Sequence, residues 1–74
     1  MEEFGGMRMQ NRLREFRAKK GFTQMQLACK IGCQPGLVSQ YERGVYSPSL
    51  HIAIRLARAL GTTVEALFGG EVDG

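Results

Sequence analysis

Gly21, Gly32, Gly44 and Gly61, with Pro35 just past the second of them, cut this chain into short stretches. Glycine adopts the positive φ at which helices stop, and proline is well placed as a first helical residue. The punctuation therefore reads as five short helices joined by tight turns. With 74 residues, the chain has enough length for one domain and one small core. A helical bundle builds such a core from mostly local contacts.

The spacing predicts a first helix from Met9 to Lys20, with Met9, Leu13 and Phe16 on one apolar stripe and Gly21 as its stop. A second runs from Gln24 to Ile31. Thr23 and Gln26 have capping-box spacing at its start, and Leu27, Ala28 and Ile31 face inward. A third spans Pro35 to Arg43, with Val38 and Tyr41 inward and Leu37 at the edge of the core. Gln34 is a weak cap for it, and Gly36 is a weak helix former. A fourth covers Ser49 to Leu60 on a stripe of Leu50, Ile54, Ala57 and Leu60, and a fifth covers Val64 to Phe68 behind Thr63. No alternation bounded by hairpin turns predicts a strand. The domain is expected over residues 9–68, between a flexible extension at 1–8 and a flexible acidic tail at 69–74.

Charge is distributed unevenly. All ten basic residues lie between Arg8 and Arg58, where only Glu15 and Glu42 are acidic. A basic body with acidic ends fits a polyanionic partner. Other classes fall away. No apolar run approaches a membrane span, the acidic start Glu2-Glu3 is not a signal peptide, and the expected compartment is the cytoplasm. Cys29 and Cys33 could close only a tiny disulfide loop. They read as ordinary thiols, Cys33 half-buried at the turn and Cys29 more exposed. With one histidine, His51, on another segment, no metal site, histidine-supported nucleophile or cofactor loop is expected, and the chain is not expected to be an enzyme.

The most informative pattern is two short helices, 24–31 and 35–43, joined by Gly32-Cys33-Gln34. A second helix that crosses the first steeply can project from the surface and fit the major groove, about 12 Å wide. Its outward residues are Gln34, Pro35, Gly36, Ser39, Gln40 and Arg43.

These residues sit within a longer series: Leu13-Arg-Glu-Phe-Arg17, Gly21-Phe-Thr-Gln24, Gln26-Leu-Ala28, Ile31-Gly32, Val38-Ser-Gln-Tyr-Glu-Arg-Gly44, Pro48-Ser-Leu50, Leu56-Ala-Arg-Ala-Leu-Gly61 and Val64-Glu-Ala-Leu-Phe68. In this order and spacing, Asn11 to Phe68 resembles the phage-repressor and Cro-like helix-turn-helix family, the XRE-type regulators. The resemblance implies an all-α, five-helix lambda-repressor-like bundle that binds double-stranded DNA as a homodimer and regulates transcription, as a repressor.

On matching positions, the resemblance implies base contacts from Gln34, Pro35, Gly36, Ser39 and Gln40, and phosphate contacts from Thr23, Gln24, Arg43, Gly44 and Tyr46. It also implies an internal Arg17–Glu42 salt bridge, to which the planar arginine fork is suited. Pro35 and Gly36 depart from the polar residues usual there. Either the backbone or a thymine methyl is approached closely, or base readout is thin and DNA shape contributes more. Ile52, Leu56, Leu67 and Phe68 are the expected dimer face. The rival is a protein-interaction module on the same fold, such as an antitoxin-like or adaptor domain.

Overall fold

A computed structural model describes residues 11–69, which form α1 (Leu13–Lys20), α2 (Gln24–Ile31), α3 (Pro35–Glu42), α4 (Leu50–Ala59) and α5 (Val64–Phe68). No strand occurs among the described residues. α1 begins later than the apolar stripe predicts, because Asn11 and Arg12 are drawn into other bonds. The Asn11 side-chain Oδ1 accepts from the Leu13 amide at 3.0 Å, and its Nδ2 donates to the Tyr41 carbonyl at 2.9 Å. The Arg12 amide donates to the Leu67 carbonyl at 2.9 Å. A side chain that bonds nearby backbone competes with the helical ladder; here the Asn11 side chain fastens the start of α1 to the end of α3, and the Arg12 backbone amide fastens it to the end of α5. Met9, the first residue of the expected stripe, lies outside the described residues.

The helix starts follow local chemistry. At α2 the Thr23 hydroxyl accepts from the Gln26 amide at 3.0 Å, and the Gln26 side-chain oxygen accepts from the Thr23 amide at 2.9 Å, a complete capping box. Ser49 and Thr63 cap α4 and α5 in the same sense. α3 has Pro35 in its first turn and no side-chain cap, so its start rests on packing. Gly32 closes α2 at φ 77°, which lets the chain reverse into α3 within three residues.

Leu13, Leu27, Ile31, Val38, Leu56, Leu60 and Leu67 form the fully buried centre. Ala28, Tyr41, Ala53, Ala57 and Phe68 fill the core around them. The register of α4 differs from the expected stripe. Ala53, Leu56, Ala57 and Leu60 face inward, while Leu50 is 71% exposed and Ile54 38% exposed. Small alanines on the inner face allow α2 and α5 to approach α4 closely, and that packing selects the face. Burial also corrects the expected dimer face. Leu56, Leu67 and Phe68 lie in the monomer's own core, and Ile52 is half-buried against it. Gly69 also belongs to the domain and not to the tail, since it is half-buried and its amide donates to the Glu65 carbonyl. The remainder of that tail, and the extension at 1–8, lie outside the described residues.

Candidate nucleic-acid interface

α2 and α3 pack on each other across the Gly32 turn. Val38 and Tyr41 anchor the inner face of α3. That leaves Gln34, Pro35, Gly36 and Gln40 exposed, with Ser39 half-buried beside them. Gln34 and Gln40 each present donors and an acceptor, Ser39 presents a hydroxyl, and Pro35 and Gly36 present only backbone and aliphatic surface. Apart from Gly36, its chain neighbours and the backbone of its own helix, no heavy atom lies within 4 Å of the point where a Cβ on Gly36 would sit, so this stretch of backbone is open to close approach.

The orientation of α3 is held by one buried carboxylate. Glu42, its side chain only 5% exposed, accepts from Arg17 Nε, from Arg17 Nη2 at 3.3 Å and from the Gln24 side-chain amide at 3.0 Å. Arg17 Nη1 donates to the Phe22 carbonyl at 2.8 Å, which fixes the guanidinium from the other side. Arg17 and Glu42 thus meet as the resemblance implies, and Gln24 joins them. A single cluster ties α1, the loop before α2, the first residue of α2 and the end of α3. Arg–carboxylate forks of this kind fix geometry as well as charge.

Beside the cluster is a cleft of about 320 Å³ lined by Arg14, Arg17, Gln24, Ser39, Glu42 and Arg43. Arg14 and Arg43 are exposed and have no ion-pair partner among the described residues. Arg14 was absent from the sequence expectations. Its position three residues before Arg17 puts both on one face of α1, and that spacing was the available signal. Thr23 is exposed; its hydroxyl accepts from Gln26 while keeping its own hydrogen to donate. Tyr46 is 55% exposed, and its ring stacks on Tyr41 with centroids 6.1 Å apart, which restrains it at the surface. Gly44 does not fit the phosphate role. It is buried, and its amide already donates to the Tyr41 carbonyl at 3.0 Å. Its φ of 73° explains the glycine: the chain must reverse there in a left-handed conformation.

Among the described residues, no group of His, Cys, Asp or Glu could hold a metal ion, and no helix is long and apolar enough to cross a membrane. Cys29 is an exposed free thiol. Cys33 is half-buried at the turn, donates weakly to the Gln34 carbonyl at 3.4 Å, and has its thiol pushed up by burial.

A family model described as helix-turn-helix matches residues 13–67, which is nearly all of the described chain. This chain belongs to the XRE-type helix-turn-helix family. An HTH-type transcriptional regulator of Archaeoglobus fulgidus is 45% identical to it over 60 residues, spanning 81% of this chain and 86% of that protein. The restriction-modification controller protein C.AhdI from Aeromonas hydrophila superposes with a TM-score of 0.70 at 38% identity, covering 74% of this chain and 83% of C.AhdI. SinR, a master regulator for biofilm formation solved in complex with DNA, superposes with a TM-score of 0.68 at 27% identity, covering 73% of this chain and 87% of SinR. The five-helix arrangement is the lambda-repressor-like fold of helix-turn-helix regulators, which are not enzymes.

Proposed function

We propose that this helix-turn-helix transcriptional regulator reads double-stranded DNA as a homodimer by laying α3 in the major groove, and that it acts as a repressor. The observation that carries the reading is the Glu42 cluster, which braces α3 so that Gln34, Ser39 and Gln40 stand outward beside Arg43, which has no ion-pair partner among the described residues. Glutamine can meet adenine in bidentate fashion, and Gln40 is the leading candidate for that contact. The open backbone at Gly36 supports close approach to a base edge or thymine methyl next to Pro35. Thr23, Gln24, Arg43, Tyr46 and Arg14 supply phosphate contacts along the lips of the groove. Gln24 keeps one amide N–H for this at the positive end of α2.

Leu50 and Ile54, one turn apart on α4, form an exposed apolar strip, and Val45 in the preceding loop is exposed as well. We assign it to the two-fold contact with a second copy, in place of the buried Leu56, Leu67 and Phe68. An isologous contact of this kind sets two α3 helices about one DNA turn apart, roughly 34 Å. Operator occupancy then represses transcription by blocking access to the promoter. The unlinked thiols of Cys29 and Cys33 and the DNA partner agree with the cytoplasm.

Selection of bound sequences from a random duplex pool tests the reading. A two-fold motif with half-sites about ten base pairs apart is the expected result. Gln40→Ala should relax the preference at one base position, and Arg43→Ala should weaken binding to all sequences and flatten its salt dependence. No binding to any duplex at low salt would transfer the fold to protein recognition.

A further inference from the structure

α2 carries two polar sites at its two ends. The first, at Gln24, belongs to the α3 cluster just described. The second gathers at its last turn, where Lys30, Arg55, Arg58 and Ala59 line a separate cleft of about 380 Å³. Lys20 extends this basic surface, since its ammonium lies against Gly61, just past the end of α4. None of the four cations has an ion-pair partner among the described residues.

Two of these cations are held in place by the fold. Arg55 Nη1 donates to the Ile31 carbonyl at 3.1 Å, which satisfies an acceptor at the end of α2 and leaves donors on the guanidinium to spare. The Lys30 ammonium sits 5.3 Å from the centre of the Phe22 ring. Anchored donors lose less freedom on binding than free surface lysines do. The cleft shares no lining residue with the one beside the Glu42 cluster, although the Arg55 guanidinium also stands against Gly32 in the turn before α3. Lys30 is about 9 Å along α2 from Gln24 and about 120° around it, from the rise and turn of an α-helix. Arg55 and Arg58 stand on α4, which carries none of the residues assigned to base or phosphate contacts.

We propose that Lys20, Lys30, Arg55 and Arg58 form a second anion site that takes backbone phosphates of a DNA segment other than the one read by α3. This rests on the groove-reading function above. DNA is the polyanion already held at high local concentration by α3, and arginine forks match its phosphates. With Lys30 turned about 120° from Gln24 around α2 and Arg58 on α4, occupying both sites joins two duplex segments.

The test is a bridging assay in about 50 mM salt, where phosphate contacts are strong. A random-sequence duplex is fixed to beads, the full chain is added, and retention of a second, labelled duplex is read. Anisotropy with one duplex in solution reports the first site separately. Lys30→Gln/Arg58→Gln removes two exposed cations and spares Arg55, which α2 needs. It should cut retention of the second duplex at least five-fold while single-duplex affinity stays within about three-fold. Arg12→Gln/Lys19→Gln, which removes the same charge beside Glu15, should retain the second duplex as the parent chain does.

Unchanged bridging by Lys30→Gln/Arg58→Gln would overturn the proposal, because the two α3 helices of a dimer would then be joining the duplexes. Equal loss in the charge-matched control would reduce the effect to net charge and overturn it as well. So would capture of poly-glutamate in preference to the second duplex, which would assign the patch to an acidic protein segment. A parent chain that binds one duplex and never a second sinks this site alone, whereas one that binds no duplex sinks the groove reading with it.

Discussion

Removing the Glu42 carboxylate should be the most damaging single polar change in this domain. Glu42 is nearly buried and Arg17 is 16% exposed, so Glu42→Ala leaves a guanidinium with two unpaired N–H groups and an unpaired Gln24 amide. Breaking one side of a buried pair costs about 3–5 kcal/mol. Arg17 keeps its bond to the Phe22 carbonyl and some solvent, which puts the expected loss at the lower end, about 3 kcal/mol. A domain of this size has only about 4–11 kcal/mol in total. Each kcal/mol shifts the midpoint by about 4–8 °C, so thermal unfolding followed by circular dichroism should show a fall of at least about 12 °C. Arg17→Met/Glu42→Leu removes both charges and should cost less than Glu42→Ala alone, because no ion is stranded. A Glu42→Ala midpoint within about 3 °C of the parent would refute this reasoning. So would a double variant that loses more than the single one.

Gly36→Ala should raise the midpoint by a few degrees, up to about 1 kcal/mol, since the position is helical and open. If the backbone there touches DNA, its operator affinity falls at the same time, as a titration would show. Burial against the core, and then the neighbouring Cys33 and Tyr46, push the Tyr41 phenol above its usual range. The folded state therefore holds that proton more tightly. Its contribution to stability should be level below pH about 10 and fall as pH rises past it, and Tyr41→Phe should flatten that part of the fall in melts across the range. Leu50→Asp/Ile54→Lys should leave the melt of the monomer intact and abolish the dimer in sedimentation analysis. Iodoacetamide at neutral pH should label Cys29 well before Cys33, read by mass spectrometry of the peptides.

Much of the architecture was legible because local chemistry marks it twice. Thr23 and Gln26 announce the start of α2 through spacing and then make both capping bonds. Gly32 and Pro35 bracket the turn before α3 and adopt the expected geometry. The register of α4 was not legible. Leu50, Ile52, Ile54, Leu56 and Leu60 spread apolar surface over most of its circumference, so periodicity allows more than one inward face. The choice depends on where α2 and α5 approach, and the small Ala53 and Ala57 mark the tight side only once the partners are known. The start of α1 failed for a related reason. Asn11 bonds Tyr41, which is distant in sequence, and no local pattern reveals such a partner.

The candidate interface shows the same division. Its outward residues could be read from helix phase, because Val38 and Tyr41 leave little choice of inner face. What holds α3 in place could not be read from phase. The helix has a proline-glycine start and no side-chain cap, so it is intrinsically weak. Its last turn is instead bonded to α1 and α2 through Glu42, its end is closed by the buried Gly44, and the Tyr41 carbonyl is taken by Asn11. Stability is thus concentrated at the C-terminal end of α3. The N-terminal end, where Gln34, Pro35 and Gly36 would enter the groove, carries few constraints of its own. A surface that must fit DNA closely can keep an adaptable leading edge if the trailing edge is fixed, and in this chain one carboxylate supplies much of that fixing.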